Sequence, residues 1–187
     1  MPRSSRWRVT SPVATRRGFG TIGILRLHEV SLEHFCAIST DPQDALKDIA
    51  NISEELVPVL RRMAEQSYVF YESNRSISPW LGYLAIERET NQIVGTVGFK
   101  GKPNREDEVE IAYWTFEPNE GRGVATSMVA NLCRIASRQE GLRLIIAHTL
   151  PVQNASGRVL EKNGFVKTGH ADDPHYGPVW RWERNPC

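Results

Sequence analysis

Residues 108–126 read EVEIAYWTFEPNEGRGVAT. The first part alternates. Val109, Ile111 and Tyr113 fall on one face, Glu110, Ala112 and Trp114 on the other, the period of a strand. Pro118 ends the strand. Gly121-Arg122-Gly123 follows as a turn in which two glycines tolerate dihedral angles other residues avoid. From there Val124, Met128, Val129, Leu132, Ile135 and Ala136 recur at helical spacing, so a helix is expected from about Gly121 to Gln139, stopped by Gly141. A helix opening out of such a turn presents unpaired N–H groups and a positive dipole end. That is a cradle for a pyrophosphate, to which Arg122 adds a cation. A plain tight loop would use the same residues. Two other nucleotide motifs do not fit. A P-loop needs Gly-Lys-Ser/Thr, whereas Gly123 is followed by Val124-Ala125. A dinucleotide fingerprint needs a parallel βαβ unit and a later acid, and the strand here belongs to an antiparallel run.

Upstream, Trp80 to Glu87 and Ile93 to Phe99 read as a hairpin around Thr90-Asn91-Gln92. Further back the pattern is helical. Ser31 caps a helix through about Ser39, Asp41-Pro42 restarts one, and Ser53-Glu54-Glu55 opens a third with Leu56, Leu60, Met63 and Ala64 on one side. Ile22 to Leu27 is a weak first strand. Downstream, Leu142 to Thr149 is apolar throughout, as in a strand covered on both faces. Asn154 to Lys162 is a short helix ended by Asn163-Gly164. Phe165 to Thr168 and Val179 to Glu183 are closing strands around an irregular Asp172-Asp173-Pro174 loop. The order implies a mixed α/β layered domain around a central sheet.

The 187 residues suit one domain, and 40% hydrophobic with 24% charged residues is an ordinary globular balance. A net charge of +1 gives no basic face for nucleic acid. Six of the 23 basic residues, all arginine, lie in residues 1–28 and none of the 22 acids does, so the remainder is net acidic. Such a terminus is compatible with a transit peptide. Pro12, Gly18 and Gly20 break any amphipathic helix, which favours a disordered basic arm over residues 1–20 and a domain over residues 21–187. Cys36, Cys133 and Cys187 lack metal or disulfide spacing and no signal-type apolar segment is present, so a cytoplasmic setting without a membrane partner is expected.

The run Val109 to Trp114, a proline, then Glu120-Gly121-Arg122-Gly123-Val124-Ala125-Thr126 resembles the acetyl-CoA motif of the GNAT N-acetyltransferase superfamily. The block from Ala155 to Phe165 resembles the last helix and strand start of its RimJ/RimL-like branch. The resemblance implies an α/β (α+β) single-domain fold, with a mostly antiparallel twisted sheet splayed at the cofactor site and helices on both faces. It implies acetyl-CoA as cosubstrate, no metal, and direct acetyl transfer to a primary amine, a protein N-terminus or a small molecule, by a monomer or homodimer. Cofactor contacts are implied at Trp114, Thr115 and Phe116, at Gly121, Arg122, Gly123, Val124, Ala125 and Thr126, and at Gln153, Asn154 and Ser156. Three departures stand out. Glu120 replaces the motif's first Gln or Arg, so its side chain is expected to face solvent. Gln153 stands where the family has Asn, with Asn154 next. Leu160 occupies the position of a frequent tyrosine acid, leaving Ser156, Tyr113 or water for that role.

The chemistry asks for a base, because an ammonium has no lone pair and amine pKa values lie near 8 to 10.4. Glu110, mid-strand on the face opposite Ile111 and Tyr113, is the first candidate, Glu108 the runner-up and His148 a third. An exposed strand glutamate and a structural histidine are the competing readings. The developing oxyanion is expected to find a backbone N–H between Trp114 and Phe116. Ser156 either caps the last helix, in competition with Asn154, or meets the cofactor. Asp172, Asp173, His175 and Tyr176 could border the acceptor. A non-catalytic acyl-CoA-binding module is the alternative.

Overall fold

The computed structural model describes residues 25–186; the basic arm expected over residues 1–20 lies outside them. Strand β1 (Leu25–Val30) leads into α1 (Leu32–Thr40), α2 (Pro42–Leu46) and α3 (Val57–Ser73). The hairpin is β2 (Gly82–Glu87) and β3 (Ile93–Phe99), followed by β4 (Glu108–Thr115) and α4 (Val124–Ala136). The chain closes with β5 (Leu144–Thr149), α5 (Ala155–Lys162), β6 (Val166–Asp173) and β7 (Gly177–Arg184). Local signals set these boundaries. Ser31 Oγ accepts the His34 N–H at 3.1 Å and Asp41 Oδ1 accepts the Gln43 N–H at 3.1 Å, each satisfying an orphan donor at a helix start.

The seven strands form one open sheet in the order β1-β2-β3-β4-β5-β7-β6. All neighbours are antiparallel except β4 and β5. Apolar residues alternate between two cores, one on each face. In β2, Tyr83 and Ala85 join a core with Met128, Leu132 and Leu160, whereas Leu84 and Ile86 join one with Phe35, Leu60 and Tyr71. Helices therefore cover both faces. β4 and β5 pair only from Glu108 with Leu144 to Glu110 with Ile146. Beyond that, β4 stays with β3 as far as Thr115 and β5 with β7 as far as Thr149, so the two strands splay.

Two expectations change. The helix after the glycine turn starts at Val124 because Gly121 and Gly123 hold φ of +72° and +79°, outside helical space. Asp172 and Asp173 are not in an irregular loop. They pair with Pro178 and Gly177 as the end of β6, and the turn is confined to residues 174–176. Backbone pairing carries that stretch, and a hydrophobic pattern does not report backbone pairing.

Candidate active site

Three cavities meet at the splay. A groove of about 340 Å³ runs along the start of α4, lined by Glu120, Gly121, Gly123, Thr126 and, from α5, Arg158 and Lys162. A smaller one of about 140 Å³ lies between the separating strands, lined by Lys100, Glu110, His148, Thr149 and Asp173. It shares Tyr113, Trp114 and Ser156 with the groove. A third, of about 390 Å³, lies between the sheet and α1 and α3, and shares Lys100, Ala112, Tyr113, Asp173 and Tyr176 with the second. Tyr113 lines all three, so they adjoin there in a row, a candidate passage across the sheet.

The groove is built for an anion. No side chain caps α4, whose N-cap is Gly123, so its first N–H groups are left to a ligand. A side chain on Gly121 would meet nothing within 4 Å, so the backbone there faces open space. The cations at this groove were not found by sequence reasoning. Arg158 and Lys162 stand four apart on α5 and present one face to it; that spacing was the available signal. Arg122 turns elsewhere. Its guanidinium donates to Glu87 Oε1 at 3.0 Å and to Asn119 Oδ1 at 2.8 Å. Glu120 does not simply face solvent as expected. It is half-buried and lines the groove, and burial followed by the charge of Glu117 raises its carboxyl pKa above the ordinary value.

Asn154 Oδ1 accepts the Gly157 N–H at 2.9 Å and so caps α5. Asn154 and Gln153 line a cavity beside Trp180 and Trp182 that shares Arg158 with the groove. Ser156 remains in the passage, with its carbonyl accepting the Tyr113 hydroxyl at 3.1 Å. Phe116 is buried at 4% exposure in the α3-side core, and its N–H donates to Val94 O at 3.0 Å. Lys100 N–H likewise donates to Glu110 O at 2.7 Å. Antiparallel pairing alternates, so the even-numbered residues of β4 spend their N–H groups on β3. The N–H groups of Tyr113 and Thr115 therefore point to the splay. They, rather than those of Trp114 and Phe116, are the backbone donors on its open side.

Glu110 Oε1 meets Lys100 Nζ at 2.6 Å and His148 Nδ1 at 3.0 Å. Burial pushes its carboxyl pKa up, but the His148 hydrogen bond and the Lys100 charge outweigh it and hold it below the ordinary value. His148 Nε2 is buried without a partner. Two of the three base candidates are thus one unit. The third, Glu108, is bound by Arg143 and, at 2.9 Å, by Arg181. Its pKa is lowered, chiefly by the Arg181 hydrogen bond. Tyr113 is raised by burial, so its phenol keeps its proton at neutral pH. Leu160, at the family's tyrosine position, is fully buried in the α4-side core.

Residues 21–166 match the model of the acetyltransferase (GNAT) domain. The chain belongs to the GNAT acetyltransferase family. This GNAT acetyltransferase is 22% identical over 151 residues to the uncharacterized N-acetyltransferase YjdG of Bacillus subtilis (strain 168), covering 76% of this chain and 86% of that one. In fold it matches RimL, a ribosomal L7/L12 alpha-N-protein acetyltransferase in complex with coenzyme A. The TM-score is 0.60 at 17% identity, over 89% of this chain and 97% of that one. The ribosomal-protein-S5-alanine acetyltransferase from Vibrio fischeri gives 0.60 at 14% identity, over 89% and 96%. The fold and family expected from the two motifs are those observed. No helix among the described residues is long and apolar enough to cross a membrane.

Proposed function

We propose that the chain transfers the acetyl group of acetyl-CoA directly to a primary amine. The observation that carries this reading is that the groove at the start of α4 and the cavity of the Glu110–His148 pair share Tyr113, Trp114 and Ser156. Acetyl-CoA supplies a thioester, an acyl group activated for attack. The start of α4, with Arg158 and Lys162 beside it, binds the pyrophosphate. The open edge of β4 pairs with the amides of the pantetheine arm, as an added strand would. Tyr113 and Thr115 N–H groups are the donors available to the oxygen as charge develops.

The amine enters from the opposite side of the sheet. Glu110, ionised and facing the passage, takes its proton directly or through one water. His148 stands behind it, with Nδ1 3.0 Å from the same carboxylate oxygen. The freed nitrogen lone pair forms the bond to the thioester carbon, the C–S bond breaks with its electron pair going to sulfur, and the second proton that nitrogen sheds on becoming an amide passes to the departing thiolate, directly or through water. A thiol pKa near 8.5, with cysteine as guide, makes the leaving group undemanding. The Ser156 hydroxyl at the junction needs only to give the departing sulfur a hydrogen bond.

The test is thiol release from acetyl-CoA over a panel of amines and short peptides, repeated with Glu110→Gln. The rate is expected to fall by about 10² to 10⁴ with acetyl-CoA affinity retained. A variant that keeps full rate at every pH removes Glu110 from the mechanism. Tight acetyl-CoA binding with no thiol release on any amine would instead identify a binding module.

A further inference from the structure

The third cavity has a floor made by the sheet register. Gly82 lies opposite Gly98, and Gly98 opposite Ala112, so three strands in a row contribute almost no side chain there. A Cβ on Gly98 would stand 2.9 Å from both the Gly82 Cα and the Tyr71 hydroxyl, so the floor is filled to the backbone. Its walls are aromatic. Phe35 stacks on Tyr71 at 5.6 Å, and Phe70 meets Tyr71 edge-on at 5.2 Å. Tyr83 and Phe99 border the cavity as strand residues, their rings packed in the core on the other face of the sheet. About 390 Å³ is near the lower end of small-molecule sites.

The polar groups of this wall are largely engaged. Tyr71 OH donates to Phe99 O at 2.8 Å, and Ser67 Oγ contacts Met63 Sδ at 3.5 Å. A peptide entering here would bury amides against hydroxyls already in use, which is costly. Charge is confined to the mouth. Two carboxylates, Glu110 and Asp173, stand there with one ammonium, Lys100, beside His148 and His175, so the acids outnumber the lysines by one. Asp173 Oδ1 accepts the N–H groups of His175 and Tyr176 at 2.8 and 3.0 Å, which fixes that carboxylate at the rim. A polyamine would bring further cations for which the aromatic wall holds no acid, and a carboxylated amine would need a cation that Lys100 has already given to Glu110.

We infer that the acceptor is a small primary monoamine carrying one aromatic or bulky apolar group, its ammonium between Glu110 and Asp173 and its body against Phe35, Phe70 and Tyr71. This rests on the acetyl-transfer reading and narrows its substrate. Ring-on-ring contact favours an aryl body over a linear alkyl one.

The experiment compares kcat/KM for 2-phenylethylamine, ethanolamine, spermidine and an Ala-initiated peptide in the thiol-release assay. It also measures the thermal shift given by 2-phenylethylamine alone. At least tenfold preference for 2-phenylethylamine is expected, with a shift that needs no acetyl-CoA. Ser67→Phe, which projects a ring into the cavity, should remove both, and Phe70→Ala should raise KM for the aryl amine at least fivefold. Acetyl-CoA affinity, read by calorimetry, should stay unchanged in both variants and reports that they are folded. Equal or better turnover of spermidine or the peptide overturns the inference and leaves acetyl transfer standing. A shift with 2-phenylethylamine but no thiol release on any amine supports the pocket and overturns acetyl transfer. Neither shift nor preference overturns the pocket.

Discussion

Arg122 lies between the two glycines of the turn before α4, yet its side chain serves the sheet. It donates to Glu87, whose side chain is 8% exposed, at 3.0 Å, while its own is 33% exposed. Glu87 keeps one other side-chain partner, the Thr90 hydroxyl at 2.8 Å. Breaking a buried pair by removing one member costs about 3–5 kcal/mol, because the remaining charge is stranded. The exposed third of Arg122 and the surviving Thr90 bond reduce this to about 2 kcal/mol. In a domain of this size that is a fall in Tm of roughly 4–8 °C. Arg122→Ala is therefore expected to lower Tm by that amount while the acetyl-CoA Kd, measured well below the transition, moves less than about threefold, since a threefold change is under 1 kcal/mol. Adding Glu87→Gln should recover part of the loss, because it removes the stranded charge. An unchanged Tm with a Kd raised tenfold or more would refute the reasoning and return Arg122 to the pyrophosphate.

Lys100→Met removes a cation that holds the Glu110 carboxyl pKa down. A depressed carboxylate contributes stability above its unfolded pKa and loses it as pH falls through the folded one. Without Lys100 both that loss and the acid limb of kcat/KM should move to higher pH, as read from a pH–rate profile. Gly123→Ala forces a side chain into φ of +79° at the N-cap of α4. It should cost about 1–2 kcal/mol in thermal stability and weaken acetyl-CoA binding in calorimetry. Arg158→Ala and Lys162→Ala should each raise the acetyl-CoA Kd a few-fold at low salt, with the difference shrinking at about 1 M salt, where the Debye length is near 3 Å.

Much of the fold was legible because it is written in local chemistry. Ser31, Asp41 and Asn154 announce helix starts, and each accepts a backbone N–H there in the structure. Ile93–Phe99 was bounded correctly from its strand-like run after the Thr90-Asn91-Gln92 turn. The groove at α4 was legible too, since a glycine turn and a helix start are neighbours in sequence. What was missed arrives from a distance. Lys100 and the Arg158–Lys162 face were given no role, because only the packing of distant elements brings them to the passage.

The Glu110–His148 contact shows why such sites resist sequence reading. Alternation along β4 places Glu110 on a face but names no neighbour. Its partner depends on two registers. Glu110 lies opposite Ile146, so His148, two residues on, shares its face, and the Lys100 N–H, just past the end of β3, bonds the Glu110 carbonyl. A slip of one residue in β5 would turn His148 to the other face. The β4–β5 pairing spans only three registered pairs, which by themselves specify it weakly. Glu108 supplies what those pairs lack. Its carboxylate binds Arg143 just before β5 and Arg181 in β7, and so ties three strands at one point. Arg181 is also the registered partner of His148. The carboxylate that ranked second as a base is therefore better understood as the clamp that brings the first and third candidates together.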